Sequence, residues 1–340
     1  MNEELVQTLL QENAALKGQI DQLNGSINEI CKVIGELTGH IVKIEGESIA
    51  SKQDMKKIFN RISNMPYEIR DHRADDKYAI PIIMTEEETF RELIHNNKSI
   101  ARFGDGEFGL MYGDARWKFQ GNNAKLAERL IEVVTSNNDN ILIGLNDFYG
   151  DLSHRTESDA DGIRTYITPE TRAQHMKFLD KNRVYAHACI SRNTTWEHVA
   201  MQKKLWDGKE CVFIEGDKTR MGIGNDLFDN AKSIERILCP AENAFDRYDE
   251  ILSEAKKIDR DKLILIALGP TASVLAYDMA LCGYHAIDIG HADLSYEWLI
   301  RNNGRKTAVT NKYNNEYENG NVVEDIHDEL YESQIIANLA

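Results

Sequence analysis

Two carboxylates stand two residues apart in Arg102-Phe-Gly-Asp-Gly-Glu107, with only Gly106 between them. No Lys or Arg intervenes, so Asp105 and Glu107 repel each other unless something positive sits with them. Mg²⁺ and Mn²⁺ prefer oxygen ligands, and a hard divalent cation is the chemistry this D-x-E suggests. Arg102, just upstream, could hold an anionic phosphate. A solvated acidic turn has the same spacing, so the motif alone does not separate the two readings.

Other polar or Gly-rich breaks share this character. In His187–Thr195, Asn193 and Thr194 lie before an expected helix, where amides favour phosphate, and a plain cap at Thr194 or Thr195 fits the same pattern. The stretch Gly216–Asp226 holds Arg220, Gly222, Gly224 and Asn225. It is neither a Walker A loop nor a G-x-G-x-x-G, yet a Gly-rich loop with Lys218 and Arg220 is a reasonable phosphate cradle. Gly269-Pro270-Thr271-Ala272 offers free amides at a helix start, or a compact turn. Asp288–Glu297 gathers Asp288, His291, Asp293 and Glu297. Asp293 and Glu297 share a face if that segment is helical, and one of them could then serve as a general base. Capping and solvation account equally well for either carboxylate taken alone.

The elements that must position these groups alternate. Helices are expected over Thr85–Asn96, opened by a capping box, over 122–136, from Pro169, over Thr195–Trp206 and over Thr271–Cys282. Buried strands are expected at 98–103, Asp139–Leu145, Arg183–Ala188, Cys211–Gly216, Lys262–Leu268 and Tyr284–Ile289. That alternation predicts an α/β fold with a mainly parallel sheet covered by helices on both faces. The polar breaks follow strands, so they fall on the C-terminal edge, where open α/β sheets bind ligands. The final stretch, 321–340, is expected to be a peripheral helix or tail.

Residues 1–66 carry a different period. Val6, Asn13, Ile20, Ile27, Ile34 and Ile41 fall seven apart, and Leu9, Leu16, Leu23, Ile30, Leu37 and Ile44 follow each by three. These are a and d positions of a long coiled-coil helix, and a homo-oligomer is expected. Ile at a, Leu at d and the single Asn13 favour a parallel dimer, while Ile30 and Ile44 at d would suit a trimer. The register falters near Ser48 and resumes from Met55 to Met65, with Pro66 closing the segment. A charged linker is expected over 67–80, then the α/β body over 81–320.

The chain has 340 residues and a net charge of −16, which disfavours nucleic-acid binding through bulk charge. No apolar run is long enough to span a bilayer, and the start Met-Asn-Glu-Glu-Leu lacks the basic and apolar regions of a signal peptide. Five scattered cysteines without C-x-x-C suit reduced thiols. A cytoplasmic location follows as an expectation.

The body resembles the GT-D-type glycosyltransferases, bacterial sugar-nucleotide transferases. The resemblance rests on Arg102–Glu107, on Arg220-Met-Gly-Ile-Gly-Asn-Asp-Leu-Phe228, on Gly269–Ala272 with Ala276-Tyr-Asp278, and on Asp288–Trp298. It implies a Rossmann-like fold and a D-x-E that binds Mn²⁺ or Mg²⁺ together with a UDP-sugar, so that Asp105 and Glu107 become the metal and diphosphate site. Arg102, Phe103, Gly104, Gly106, Asn193, Thr194, Arg220, Gly222, Gly224, Asn225, Gly269, Pro270, Thr271 and His291 would then border the donor. Transfer of a hexose such as glucose to a glycan or glycoprotein acceptor is the implied activity, with Asp293 as the base that deprotonates the acceptor hydroxyl if the anomeric centre inverts. The family pattern has an acidic residue where this chain has Ser295. Two other classes fit the residues alone: a nucleotidyltransferase or phosphatase, which would release pyrophosphate or phosphate, and a non-catalytic sugar-nucleotide-binding scaffold, which would bind UDP without turnover.

Overall fold

The computed structural model describes residues 3–42, 49–69, 78–114, 119–192, 195–302, 304–314 and 320–340. They divide into two compact units.

The first unit joins residues 1–71 to an excursion of the body, 151–171. Helix α1 (Glu3–Val42) runs unbroken for 40 residues, and α2 (Ile49–Ile69) carries Pro66 inside it rather than ending there. The expected linker therefore begins as helix, and residues 70–77 lie outside the described residues. The seam residues Leu16, Ile20, Leu23 and Ile30 of α1 are 53–62% exposed. The later part of α2 does not continue that open seam. It docks on α6 (Glu157–Arg164), a helix the sequence reading passed over, through Arg61 with Asp161 and Glu157, and Arg164 with Glu68 at 2.7 Å.

The second unit is a nine-stranded sheet in the order β1-β4-β3-β2-β8-β7-β5-β6-β9. The strands are β1 (Ile82–Ile83), β2 (Ser99–Phe103), β3 (Ile141–Leu145), β4 (Val184–His187), β5 (Glu210–Gly216), β6 (Ser233–Cys239), β7 (Leu263–Ala267), β8 (His285–Asp288) and β9 (Ile335–Asn338). Every pairing is parallel. Both faces are covered, so successive strand residues enter opposite cores. Ala101, Phe103, Val212, Ile214, Ile264 and Ile266 fill one, and Ile100, Cys211, Phe213, Leu263 and Leu265 the other.

The helices expected beside the sheet are present as α3 (Glu86–His95), α5 (Ala124–Thr135), α8 (Trp196–Trp206) and α10 (Pro270–Leu281). Thr85 and Glu88 form the anticipated capping box on α3. The helix from Pro169 is shorter than expected: α7 (Pro169–His175) buries Arg172 and His175, and Met176 and Leu179 lie beyond it. Strands β1, β6 and β9 and helix α9 (Tyr248–Ala255) were not anticipated. At the chain end only Glu329–Ser333 (α12) is helical, and β9 then adds to the sheet edge beside β6.

A buried ion pair locks that edge. Arg236 of β6 pairs with Glu215 of β5, donates from Nε to Gln334 Oε1 at 2.8 Å and from Nη2 to the Met221 carbonyl at 2.9 Å. Glu215 accepts in turn from the Met221 amide at 2.8 Å. Burial raises the Glu215 carboxyl, against the pull of Arg236.

Candidate functional site

Adjacent strands β2 and β8 mark the point where strand order reverses: from β2 the chain steps outward to β3 and β4, while β8 is reached from β7 on the other side. Connections diverge there, and in open α/β sheets ligands bind at the C-terminal edge of such a point. The D-x-E follows β2, and the Asp288–Glu297 cluster follows β8.

The D-x-E lies not in a free turn but in the first turn of a short helix, α4 (Asp105–Met111), with Gly104 as N-cap. Positions i and i+2 of a helix point apart, so the two carboxylates differ. Glu107 folds back and accepts the Gly104 amide at 2.8 Å. Burial pushes the Glu107 carboxyl up to about 7; Asp288 adds to this, and the Gly104 amide and Arg102 oppose it. Asp105 is exposed at the helix start, next to the exposed Gly106. Beside Gly104 lies the side-chain amide of Asn146, which follows β3.

What holds α4 in place is its inner face. Phe108 stacks on His175 at a centroid distance of 3.7 Å, and Tyr149 Oη and His175 Nδ1 are 2.7 Å apart. Burial, with Arg172 adding, pushes the His175 imidazole down to about 4, so it is neutral.

Arg102 is largely committed to the protein. It pairs with Asp288 Oδ1 at 2.7 Å, donates from Nε to the Asp288 carbonyl at 2.7 Å and from Nη1 to Ser191 Oγ at 2.5 Å. Ser273 Oγ donates to the Arg102 carbonyl at 2.7 Å. Gly290, at φ 48°, makes room for this arginine: a Cβ there would lie 2.0 Å from Arg102 Nη2. The expected phosphate-holding arginine therefore clamps the β2 and β8 ends together, with Phe103 buried beneath.

The Gly216–Asp226 loop is likewise engaged from within. Arg220 is buried at φ 53° and donates to the carbonyls of Asn311 and Glu324 at 2.9 and 2.7 Å. The Gly222 amide and the Asn225 side chain both donate to Asp293 Oδ1, at 2.9 and 2.8 Å. Gly224, at φ 78°, has open space where a Cβ would stand. Asp293 and Glu297 do share a face of α11 (Ala292–Asn302), and Lys312 Nζ reaches both, at 2.6 and 3.1 Å. Burial alone would raise Glu297, but Lys312, Asn225 and Arg301 hold it below the ordinary carboxylate range. Asp293 is only 3% exposed and bonded to three donors. That geometry suits an anchor for the loop and not the general base expected from the sequence.

Gly269, at φ 54°, precedes Pro270 at the first turn of α10. Thr271 Oγ1 is buried there without a hydrogen-bond partner. Phe119 packs over Gly269, and its ring lies 5.4 Å from His291 and 5.7 Å from Tyr313. The structure thus brings Asp105, Glu107, Gly104, Gly106 and His291 to one edge with the Gly269–Thr271 turn. Asn193 and Thr194 lie outside the described residues. The sequence reading missed Phe119, Ser273 and Lys312. Neither motif nor period marks them, and only the fold brings them here.

The resemblance implies a divalent cation. Among the described residues no group of three or more His, Cys, Asp or Glu could hold a metal. Mg²⁺-type sites need only one or two carboxylates when substrate phosphates complete the shell, and the exposed Asp105 beside Glu107 supplies that much. The unpartnered Thr271 hydroxyl at the α10 N-terminus is a fit for phosphate oxygen.

Comparison with known proteins agrees with this geometry. A family model described as the glycosyltransferase GT-D fold matches residues 100–317. The probable glycosyl transferase Gly of Streptococcus gordonii is 33% identical over 267 residues, which are 76% of this chain and 39% of that protein. Glycosyltransferase GlyD of Streptococcus pneumoniae is 31% identical over 265 residues, 74% of this chain and 32% of that one. The chain therefore spans between about a third and two fifths of the length of these curated relatives. A solved glycosyltransferase (DUF1792) from Streptococcus sanguinis is similar with a TM-score of 0.71 at 31% identity, over 77% of this chain and all of that one. A solved domain of unknown function 1792, reported to have a distinct glycosyltransferase fold, gives a TM-score of 0.73 at 33% identity, over 79% of this chain and 100% of its own. This chain belongs to the glycosyltransferase GT-D fold family.

Proposed function

We propose that this chain transfers a hexose, with glucose the leading choice, from a UDP-sugar to a glycan or glycoprotein acceptor in bacterial glycoprotein or cell-surface polysaccharide synthesis. The observation that carries the reading is the exposed Asp105 carboxylate, next to Glu107, at the strand-order reversal between β2 and β8. Asp105 and Glu107 would hold Mn²⁺ or Mg²⁺, which offsets charge on a departing diphosphate. The Thr271 hydroxyl and the first amides of α10 would take diphosphate oxygens. Phe119 and His291 offer ring faces for a nucleobase. Arg102 and Asp288 act as positioning residues that fix the two strand ends. Five free thiols suit a reducing compartment, and we place the reaction in the cytoplasm on that basis.

The test is UDP release from a panel of UDP-sugars with added Mn²⁺. Asp105→Asn and Glu107→Gln are each expected to lower turnover by about a hundredfold or more, the scale of losing a preorganised electrostatic contact. Turnover at near wild-type rate in both variants, or without added metal, would sink the reading.

For α1 we propose a second copy of this chain as the occupant of the open seam. Eleven a and d positions fall within α1, from Val6 to Ile41, and all are apolar apart from Asn13. In a parallel pair, Glu12 at g also faces Lys17 at e of the partner helix, an attractive contact.

A further inference from the structure

At the opposite end of the sheet, where the strands begin, lies a cavity of about 390 Å³. That size is within the range of small-molecule sites. It is lined by Asn97 before β2, Asn140 before β3, Lys209 before β5, Arg260 and Lys262 before β7, and His285 at the start of β8. A strand of five residues, roughly 16 Å, separates this end from the D-x-E edge.

The charge here runs against the rest of the molecule. The chain carries −16 overall, yet the cavity presents Lys209, Arg260 and Lys262 against one acidic residue, Asp261. Lys262 is already paired with Glu235 at 2.7 Å. Lys209 and Arg260 have no ion pair among the described residues. Arg260 lies over the Tyr284 ring at 5.7 Å, so its guanidinium is oriented while its charge stays unmatched. Burial holds the half-buried Lys209 ammonium below its ordinary range. Burial, with Lys209 adding and the Lys98 backbone opposing, pushes the His285 imidazole down to about 4, so it lines the cavity as a neutral ring. Nothing stands within 4 Å of a Cβ built at Gly283, so the mouth is open there.

Unmatched cations and two side-chain amides in one cavity are what an oxyanion needs. Leu263, Ala280 and Tyr284 add an apolar wall larger than a bare anion requires. We propose that this cavity is a second ligand site, which binds the phosphate group of a small molecule through Lys209 and Arg260. The site is independent of the D-x-E edge and of the activity assigned to it.

The experiment is heat unfolding of the full chain with increasing inorganic phosphate or phenyl phosphate, because a ligand of the folded state raises Tm by mass action. Wild type and Asp105→Ala are expected to show the same rise. Lys209→Gln and Arg260→Gln are expected to weaken apparent binding about tenfold, the effect of removing a charge-assisted contact. Arg260 is exposed, so Arg260→Gln should keep the wild-type Tm without phosphate and remains informative if Lys209→Gln fails to fold. Tighter binding of phenyl phosphate than of phosphate identifies a phosphate monoester as the ligand, and equal binding identifies free phosphate. No rise in wild type overturns the proposal. So does an undiminished rise in Arg260→Gln, or a rise abolished by Asp105→Ala.

Discussion

Lys312 shows how much a single residue outside every motif can matter. Its ammonium is fully buried between Asp293 and Glu297. Removing one partner of such a group leaves buried charge uncompensated, at about 3–5 kcal/mol. Lys312→Met is therefore expected to lower stability by that amount in urea unfolding, and a loss below about 1 kcal/mol would contradict the account. Since Asp293 in turn holds Gly222 and Asn225, the same change should loosen the loop that Arg220 ties to Asn311 and Glu324. The carboxylate at 293 was visible in the sequence as a candidate base. Its partner, nineteen residues on, was not, because nothing local links a lysine in an irregular segment to a helix face.

At the scale of elements, α4 is the piece on which the proposed chemistry rests, and at 7 residues it is too short to be stable alone. Its hold is tertiary, through Phe108 on His175. That contact carries a pH signature. His175 sits at about 4 in the fold against 6.5 for an ordinary histidine. Between those values an unfolded chain takes up a proton that the folded chain refuses. Stability is thus unaffected above about pH 6.5 and falls as pH drops towards 4, by at most about 1.4 kcal/mol per pH unit. His175→Phe keeps a ring on Phe108 and removes the proton site. Its urea midpoint is expected to change less between pH 6.5 and 4.5 than that of wild type, and equal slopes would rule the account out. Helices with strong local signals, α3 with its capping box and α5 with Leu126, Leu130 and Val133 on one face, were legible in advance. Strands β1 and β9 were not. The first has only two residues, and the second carries its pattern through an edge that is half exposed.

For the molecule as a whole, the open seam of α1 is the feature that a single copy leaves unsatisfied. Full-length chain is expected to sediment as a dimer at micromolar concentration. Ile20→Asp combined with Leu23→Asp should shift it to monomer without altering the heat unfolding of the sheet-containing unit. A wild-type monomer would end the proposal. The heptads of α1, the α/β alternation and the D-x-E at a strand end were set by the sequence itself, since period and turn chemistry are local properties of the chain. The tertiary structure decided which polar groups face solvent and which are consumed within. Arg102 went to Asp288, Arg220 to backbone carbonyls and Asp293 to Lys312, whereas Asp105 stayed exposed. The reason is physical: a buried charge must find a partner, and the partners lie on strands and loops that meet only when the parallel sheet has assembled.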